Sequence, residues 1–204
     1  MTEKIVRNII EDQNNDNIAI TSDGSNPLTY AELKGLIHRI SKQLAGYGIS
    51  NSDRAAIVLP NGPYMATSFL AISSYMSAAP LNPNYKSEEF EFYLKDLKPK
   101  IVLVEKNSEN VVTEVAKKLG IPVCELQNSE SNLAGDFNLF DKSAEYNLPN
   151  EDQEALVLHT SGTTSRPKIV PLSNSNIYSS SNNISKSLNS VSYTHLRAHE
   201  TDSY

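Results

Sequence analysis

Residues 160–168 read Thr, Ser, Gly, Thr, Thr, Ser, Arg, Pro, Lys, after the apolar run Ala155-Leu156-Val157-Leu158 and before Ile169-Val170. A strand that empties into a Gly, Ser and Thr loop ending in lysine carries what a phosphate needs. Gly162 lets backbone N–H groups come close to an anion, the hydroxyls of Thr160, Ser161, Thr163 and Thr164 donate further hydrogen bonds, and Lys168 adds a compact positive charge. The Walker phosphate loop is a different pattern: it has glycine directly before the lysine and Ser or Thr directly after, where this chain has Pro167 and Ile169. A solvated polar loop between two strands is the plain alternative for the same residues.

The elements that must position this loop follow from periodicity. Thr29 with Glu32 three residues on makes a capping signature, and Leu33, Leu36, Ile37, Ile40 and Leu44 then mark one face of a helix that Gly46 and Gly48 end. The short apolar run at 55–59 suits the middle of a parallel sheet, with a turn at 60–63, a helix over 64–76 and a brief strand around Ala79-Pro80-Leu81. A second cycle predicts a helix capped by Ser87 and running to Leu97, a strand over 101–104, a helix over 111–119 and a strand over 121–126. This alternation predicts an α/β fold with a mostly parallel sheet flanked by helices on both faces. Ligands of such sheets bind at the carboxyl ends of the strands, and the loop leaves the strand at 155–159 at such an end. Residues 127–152, rich in Asn, Ser, Asp and Glu without a sustained period, are expected to form a surface excursion with little regular structure.

Composition narrows the function classes. The 204 residues are 39% hydrophobic and 21% charged with a net charge of -6, a profile that permits a real core and argues against a nucleic-acid partner. The nearest basic cluster, 95–100, is interleaved with Asp96, Leu97 and Pro99 and reads as a solvated helix end. A single cysteine, Cys124, allows no intrachain disulfide and no cysteine-rich zinc site. No uncharged run approaches the roughly 18 residues that span a bilayer. Ser68, Ser73, Ser74, Ser77 and Pro80 interrupt the longest apolar stretch, 65–81. No export signal is legible, so the cytoplasm is the default expectation; a peroxisomal address would lie at a true carboxyl terminus.

With Leu158-His159 before it and Val170-Pro171-Leu172 after it, the 160–168 segment resembles the phosphate-binding signature of the acyl-adenylating superfamily. Ser165-Arg166 makes it most similar to the oxalate–CoA ligase branch. Leu28-Thr29-Tyr30-Ala31-Glu32-Leu33, Asp53-Arg54, Gly62-Pro63, Ala79-Pro80-Leu81-Asn82-Pro83 and residues 88–98 resemble the amino-terminal subdomain of the same enzymes, in the same order. The resemblance implies an ATP-dependent ligase that joins a small carboxylic acid to AMP and then to coenzyme A. Thr160, Ser161, Gly162, Thr163 and Thr164 would wrap the β- and γ-phosphates. Lys168 would pair with phosphate charge or brace the loop, Arg166 would be a phosphate contact or a solvated charge, and Mg2+ would arrive with the nucleotide. Ile169 departs from the family's usual glycine, a difficulty only if that position needs positive φ.

Other constellations carry less. His159, before the loop, reads as a packed or hydrogen-bonded residue rather than a base, and Tyr85, Phe90, Phe92 and Tyr93 read as core. No catalytic residue, metal ligand or protein partner is assignable. His195 and His199 stand four apart beside Glu200, but Leu196 occupies the place of a zinc protease's glutamate. Residues 191–201 resemble the translation of a sequencing adapter. The expected division is therefore 1–190 as the amino-terminal part of an AMP-binding domain and 191–204 as foreign, leaving a fragment without the later machinery and inactive alone, its apolar faces on Ile177 and on the strands exposed. The alternatives are another acyl-CoA synthetase, a carrier-loading adenylation domain, or a non-catalytic nucleotide-binding module.

Overall fold

The computed structural model describes residues 3–108, 110–160 and 167–189. In chain order its elements are α1 (Val6–Glu11), β1 (Ile18–Ile20), β2 (Leu28–Thr29), α2 (Tyr30–Gly46), β3 (Arg54–Val58), α3 (Pro63–Ser73), β4 (Ser77–Pro80), α4 (Ser87–Leu97), β5 (Ile101–Val104), α5 (Val111–Lys118), β6 (Val123–Glu125), β7 (Gln127–Asn128), β8 (Phe137–Asn138), β9 (Glu154–His159), β10 (Ile169–Ser173) and α6 (Asn174–Asn189). Among the described residues, six strands form one sheet in the order β10-β9-β4-β3-β5-β6, parallel throughout except for the antiparallel pair β9–β10.

Alternation along β3 builds two cores, because successive side chains leave opposite faces of a strand. Ala55 and Ile57 join Leu36, Ile37, Ala71 and Ile72 of α2 and α3 on one face. Ala56 and Val58 join Phe90, Leu94, Val112 and Val115 of α4 and α5 on the other. The connection after β3 therefore crosses one face while those after β4 and β5 cross the other. That reversal opens a crevice at the strands' carboxyl ends.

Local signals act largely as the residues predict. Thr29 caps α2: its hydroxyl accepts from the Glu32 N–H at 3.3 Å while Glu32 accepts from the Thr29 N–H at 2.7 Å. Pro63 opens α3 at a position where a missing N–H costs nothing. Ser87 differs from expectation: it is the first helical residue of α4, and Lys86 is the cap, its N–H donating to Glu89 at 2.9 Å.

The excursion at 127–152 has little regular structure and is mostly exposed, as expected, but part of it enters the core. It carries the short pair β7–β8 and buries Ala134, Phe137 and Leu139, the last two against the α2 and α3 side of the sheet. Burial here follows no helix or strand period, because an irregular segment presents its apolar residues wherever its turns allow. The amino terminus likewise forms α1, whose Val6 and Ile10 are buried. No helix among the described residues is long and apolar enough to cross a membrane.

Candidate phosphate site

β9 and β10 form the hairpin that presents the hydroxyl-rich loop. Their register pairs His159 with Ile169, Leu158 with Val170, Val157 with Pro171 and Leu156 with Leu172. Ala155 and Val157 are buried, so one face of β9 is anchored in the core. Pro171 is accommodated because β10 is the edge strand, where a lost N–H breaks no further ladder. Ser173 caps α6, accepting from the Asn176 N–H at 3.2 Å while its own N–H donates to Asn176 Oδ1 at 3.0 Å.

The mouth of the hairpin is closed by Thr160 and Lys168. The Thr160 N–H donates to the Lys168 carbonyl at 3.0 Å, and the Lys168 N–H donates to Thr160 Oγ1 at 3.4 Å. Both residues are exposed, and among the described residues Lys168 has no ion-pair partner. Ser161, Gly162, Thr163, Thr164 and Arg166 lie outside the described residues. The structure thus brings together the two ends of the predicted loop. Ile169 resolves the question its departure from glycine raised: it opens a β-strand and is not among the residues with positive φ, so a β-branched side chain suits it.

Because β9 runs parallel to β4, the mouth opens on the same edge of the sheet as the turns after β3, β4 and β5. Two clefts lie on that edge. One of about 550 Å³ is lined by Leu59, Asn61, Met65, Leu81 and Asn82, and one of about 470 Å³ by Val58, Pro83, Tyr85, Glu105 and Asn110. Asn82 shapes the turn after β4: its Oδ1 accepts from the Asn84 N–H at 2.9 Å and its carbonyl accepts from the Tyr85 N–H at 3.2 Å.

His159 is packed, as its position suggests, with its side chain 7% exposed and its ring edge-on to Tyr93 at 4.6 Å. Its Nε2 lies 3.1 Å from Asp96 Oδ2. Sequence gave no sign of that partner, which is 63 residues away. Burial, and then the hydrogen bond with Tyr85, push the Tyr93 hydroxyl up to about 12, so it stays neutral. Phe90 is fully buried, and Tyr85 and Tyr93 pack against the same cluster.

A strand-to-strand loop with a hydroxyl and a lysine at its mouth, on the ligand-binding edge of a parallel sheet, can take the phosphates of a nucleotide. The chain is 40% identical over 177 residues to oxalate–CoA ligase of Arabidopsis thaliana, covering 83% of this chain and 34% of that protein. It therefore spans about a third of the length of that relative. Its fold superposes on ATP-bound MatB from Rhodopseudomonas palustris with a TM-score of 0.73 at 24% identity, covering 91% of this chain and 38% of that one. It also superposes on O-succinylbenzoate coenzyme A synthetase of Bacillus subtilis in complex with AMP, with a TM-score of 0.71 at 25% identity, covering 95% and 48%. The family of AMP-binding enzymes matches residues 8–204, and the chain belongs to that family.

Proposed function

We propose that this chain is the phosphate-binding portion of an ATP-dependent acid–CoA ligase of the oxalate–CoA ligase type. In the whole enzyme, a carboxylate oxygen attacks the α-phosphorus of ATP, the bond to pyrophosphate breaks, and the acyl-adenylate then passes its acyl group to the thiol of coenzyme A with loss of AMP. The observation that carries the reading is the β9–β10 hairpin. Its mouth is closed by Thr160 and Lys168, and it opens at the carboxyl edge of a parallel sheet.

The chain's own residues have defined tasks in this reading. Ser161, Gly162, Thr163 and Thr164 donate N–H and O–H groups to the β- and γ-phosphates, Thr160, whose N–H is held by the Lys168 carbonyl, adds its hydroxyl, and Lys168 offsets their charge, with Arg166 as a further contact. Such donors act best when held in place before the anion arrives, and the bonds between Thr160 and Lys168 fix the two ends of the segment that carries them. Mg2+ supplies charge neutralisation on the triphosphate, and we assign it no ligand in this chain. Asp96, the carboxylate beside the mouth, is already engaged by His159. Oxalate is the favoured acid because of the 40% identity and the Ser165-Arg166 pair.

The test is oxalate-dependent ATP–pyrophosphate exchange by the full-length protein. Lys168→Ala lowers exchange roughly a hundredfold, as loss of one preorganised charge contact does elsewhere. Undiminished exchange would sink the phosphate role of Lys168. Exchange with other acids but not with oxalate would sink the substrate assignment alone. The 204-residue chain by itself is expected to give no exchange.

A further inference from the structure

β4 ends at Pro80, which has no N–H to give, and its register with β9 lies at Ala78↔Leu156. His159 stands three residues beyond that register, where the ladder that continues is the one to β10, an edge strand. Backbone pairing alone therefore ties the root of the loop to a two-stranded ribbon rather than to the body of the sheet. The His159 side chain makes the missing connection. It reaches Asp96 on α4 at 3.1 Å and meets Tyr93 on the same helix at 4.6 Å. Tyr93 in turn stacks on Tyr85, with ring centroids 4.9 Å apart, and Tyr85 belongs to the turn that follows β4. Either the imidazolium or the neutral ring with its proton on Nε2 donates to Asp96, so the tie does not need a particular charge.

We propose that His159 is a positioning residue for the ATP phosphates. Through Asp96 and Tyr93 it holds the end of β9, and with it Thr160 and the mouth closed on Lys168, at a set place beside α4 and the turn after β4. The inference rests on the reading of the hairpin as the ATP phosphate site. Its physical basis is that donors aimed at a phosphate lose much of their effect when displaced by about 1 Å, so the root of the loop has to be fixed in three dimensions.

The experiment is steady-state ATP–pyrophosphate exchange by the full-length protein carrying H159A, H159Q, D96A, D96N or H159A with D96A. H159A and D96A raise KM for ATP roughly tenfold while KM for the acid changes less than about twofold. H159Q keeps an N–H donor and D96N an oxygen acceptor, so both stay near wild type. The double variant is no worse than either alanine variant, because both remove one shared contact. An unchanged KM for ATP in D96A, whose 42% exposed side chain leaves the core untouched, overturns the proposal. So do equal rises in both KM values, which mark a disturbance of the whole site rather than of ATP positioning; a loss of folded enzyme would instead lower the maximal rate and leave both KM values unchanged. Wild-type protein without exchange instead overturns the phosphate-site reading, and this inference with it.

Discussion

Asp136 is a buried carboxylate away from the β9–β10 hairpin. Its burial would raise its pKa, but hydrogen bonds from Ser129 and Ser131 and the charge and hydrogen bond of Arg39 outweigh that and hold the carboxyl below the usual carboxylate range. Ser131 Oγ donates at 2.7 Å and Arg39 pairs with the other oxygen. A carboxyl whose pKa is lowered by folding contributes stability that is present above the unfolded value, about 3.9, and is lost as pH falls through the folded one. Unfolding followed from pH 7 down to 2 should therefore show stability falling below about pH 4, with a shallower fall in D136N. Equal acid dependence in the two proteins would remove Asp136 from the account. At neutral pH, D136N should cost about 1–3 kcal/mol, since it leaves the Arg39 charge poorly matched. Cys124 is the opposite case: burial, then the nearby Glu125 charge, push its thiol up to about 12, so it is a packed side chain rather than a nucleophile.

Among the elements, the sheet is clamped at its amino edge as well as pinned at its carboxyl edge. Arg54, the first residue of β3, makes two parallel bonds to Glu154, the first residue of β9, at 2.7 and 2.9 Å, and its Nη1 donates to the Leu97 carbonyl at the end of α4 at 3.2 Å. β4 lies between those two strands, so the pair bridges across it. The two side chains are 30% and 23% exposed, so solvent screens the pair less than at an open surface, and its geometry is bidentate. R54A should lower stability by about 1–2 kcal/mol, with E154A similar and the double variant less than additive. Chemical denaturation would check this, and full additivity would mean that the bond geometry contributes nothing.

For the molecule as a whole, the 127–152 excursion is a surface segment whose middle, around 133–139, packs on the core. It drapes over α2 and α3 and seals that core with Phe137 and Leu139. Gly135 lets it lie close: its φ is +73°, and a Cβ there would stand 2.6 Å from the Pro63 carbonyl oxygen and 2.9 Å from Thr67 Oγ1. Thr67 Oγ1 itself donates to the Gly135 carbonyl at 2.7 Å, joining the wrap to the start of α3. G135A should therefore cost at least about 2 kcal/mol, from the left-handed backbone plus the collision with main chain that cannot move aside. A thermal midpoint unchanged from wild type would show that the wrap is loosely held. At the far side, Ile177 is half-buried rather than exposed, because Asn174 at the start of α6 accepts from the Val6 N–H at 3.0 Å and brings α6 beside α1. Among the described residues, the large apolar side chains left open on β9 and α6 are Leu158, Ile184 and Leu188.

Local chemistry determined much of this protein before any tertiary contact was known. The Thr29–Glu32 cap, the apolar stripe of α2, the runs that became β3 and β5 and the β9–loop–β10 hairpin each depend on residues a few positions apart, so chain order alone specifies them. The loop's hydroxyls and lysine suggested a phosphate ligand for the same reason. Contacts between distant residues were decided only by the fold. His159 with Asp96, Arg54 with Glu154, Arg39 with Asp136 and the burial of Phe137 join residues 63 to 100 positions apart, or place an apolar side chain without any period. Which partner a charge finds, and whether an irregular segment lies on the core or in water, follows from how the sheet orders its strands, and neighbouring residues carry no record of that.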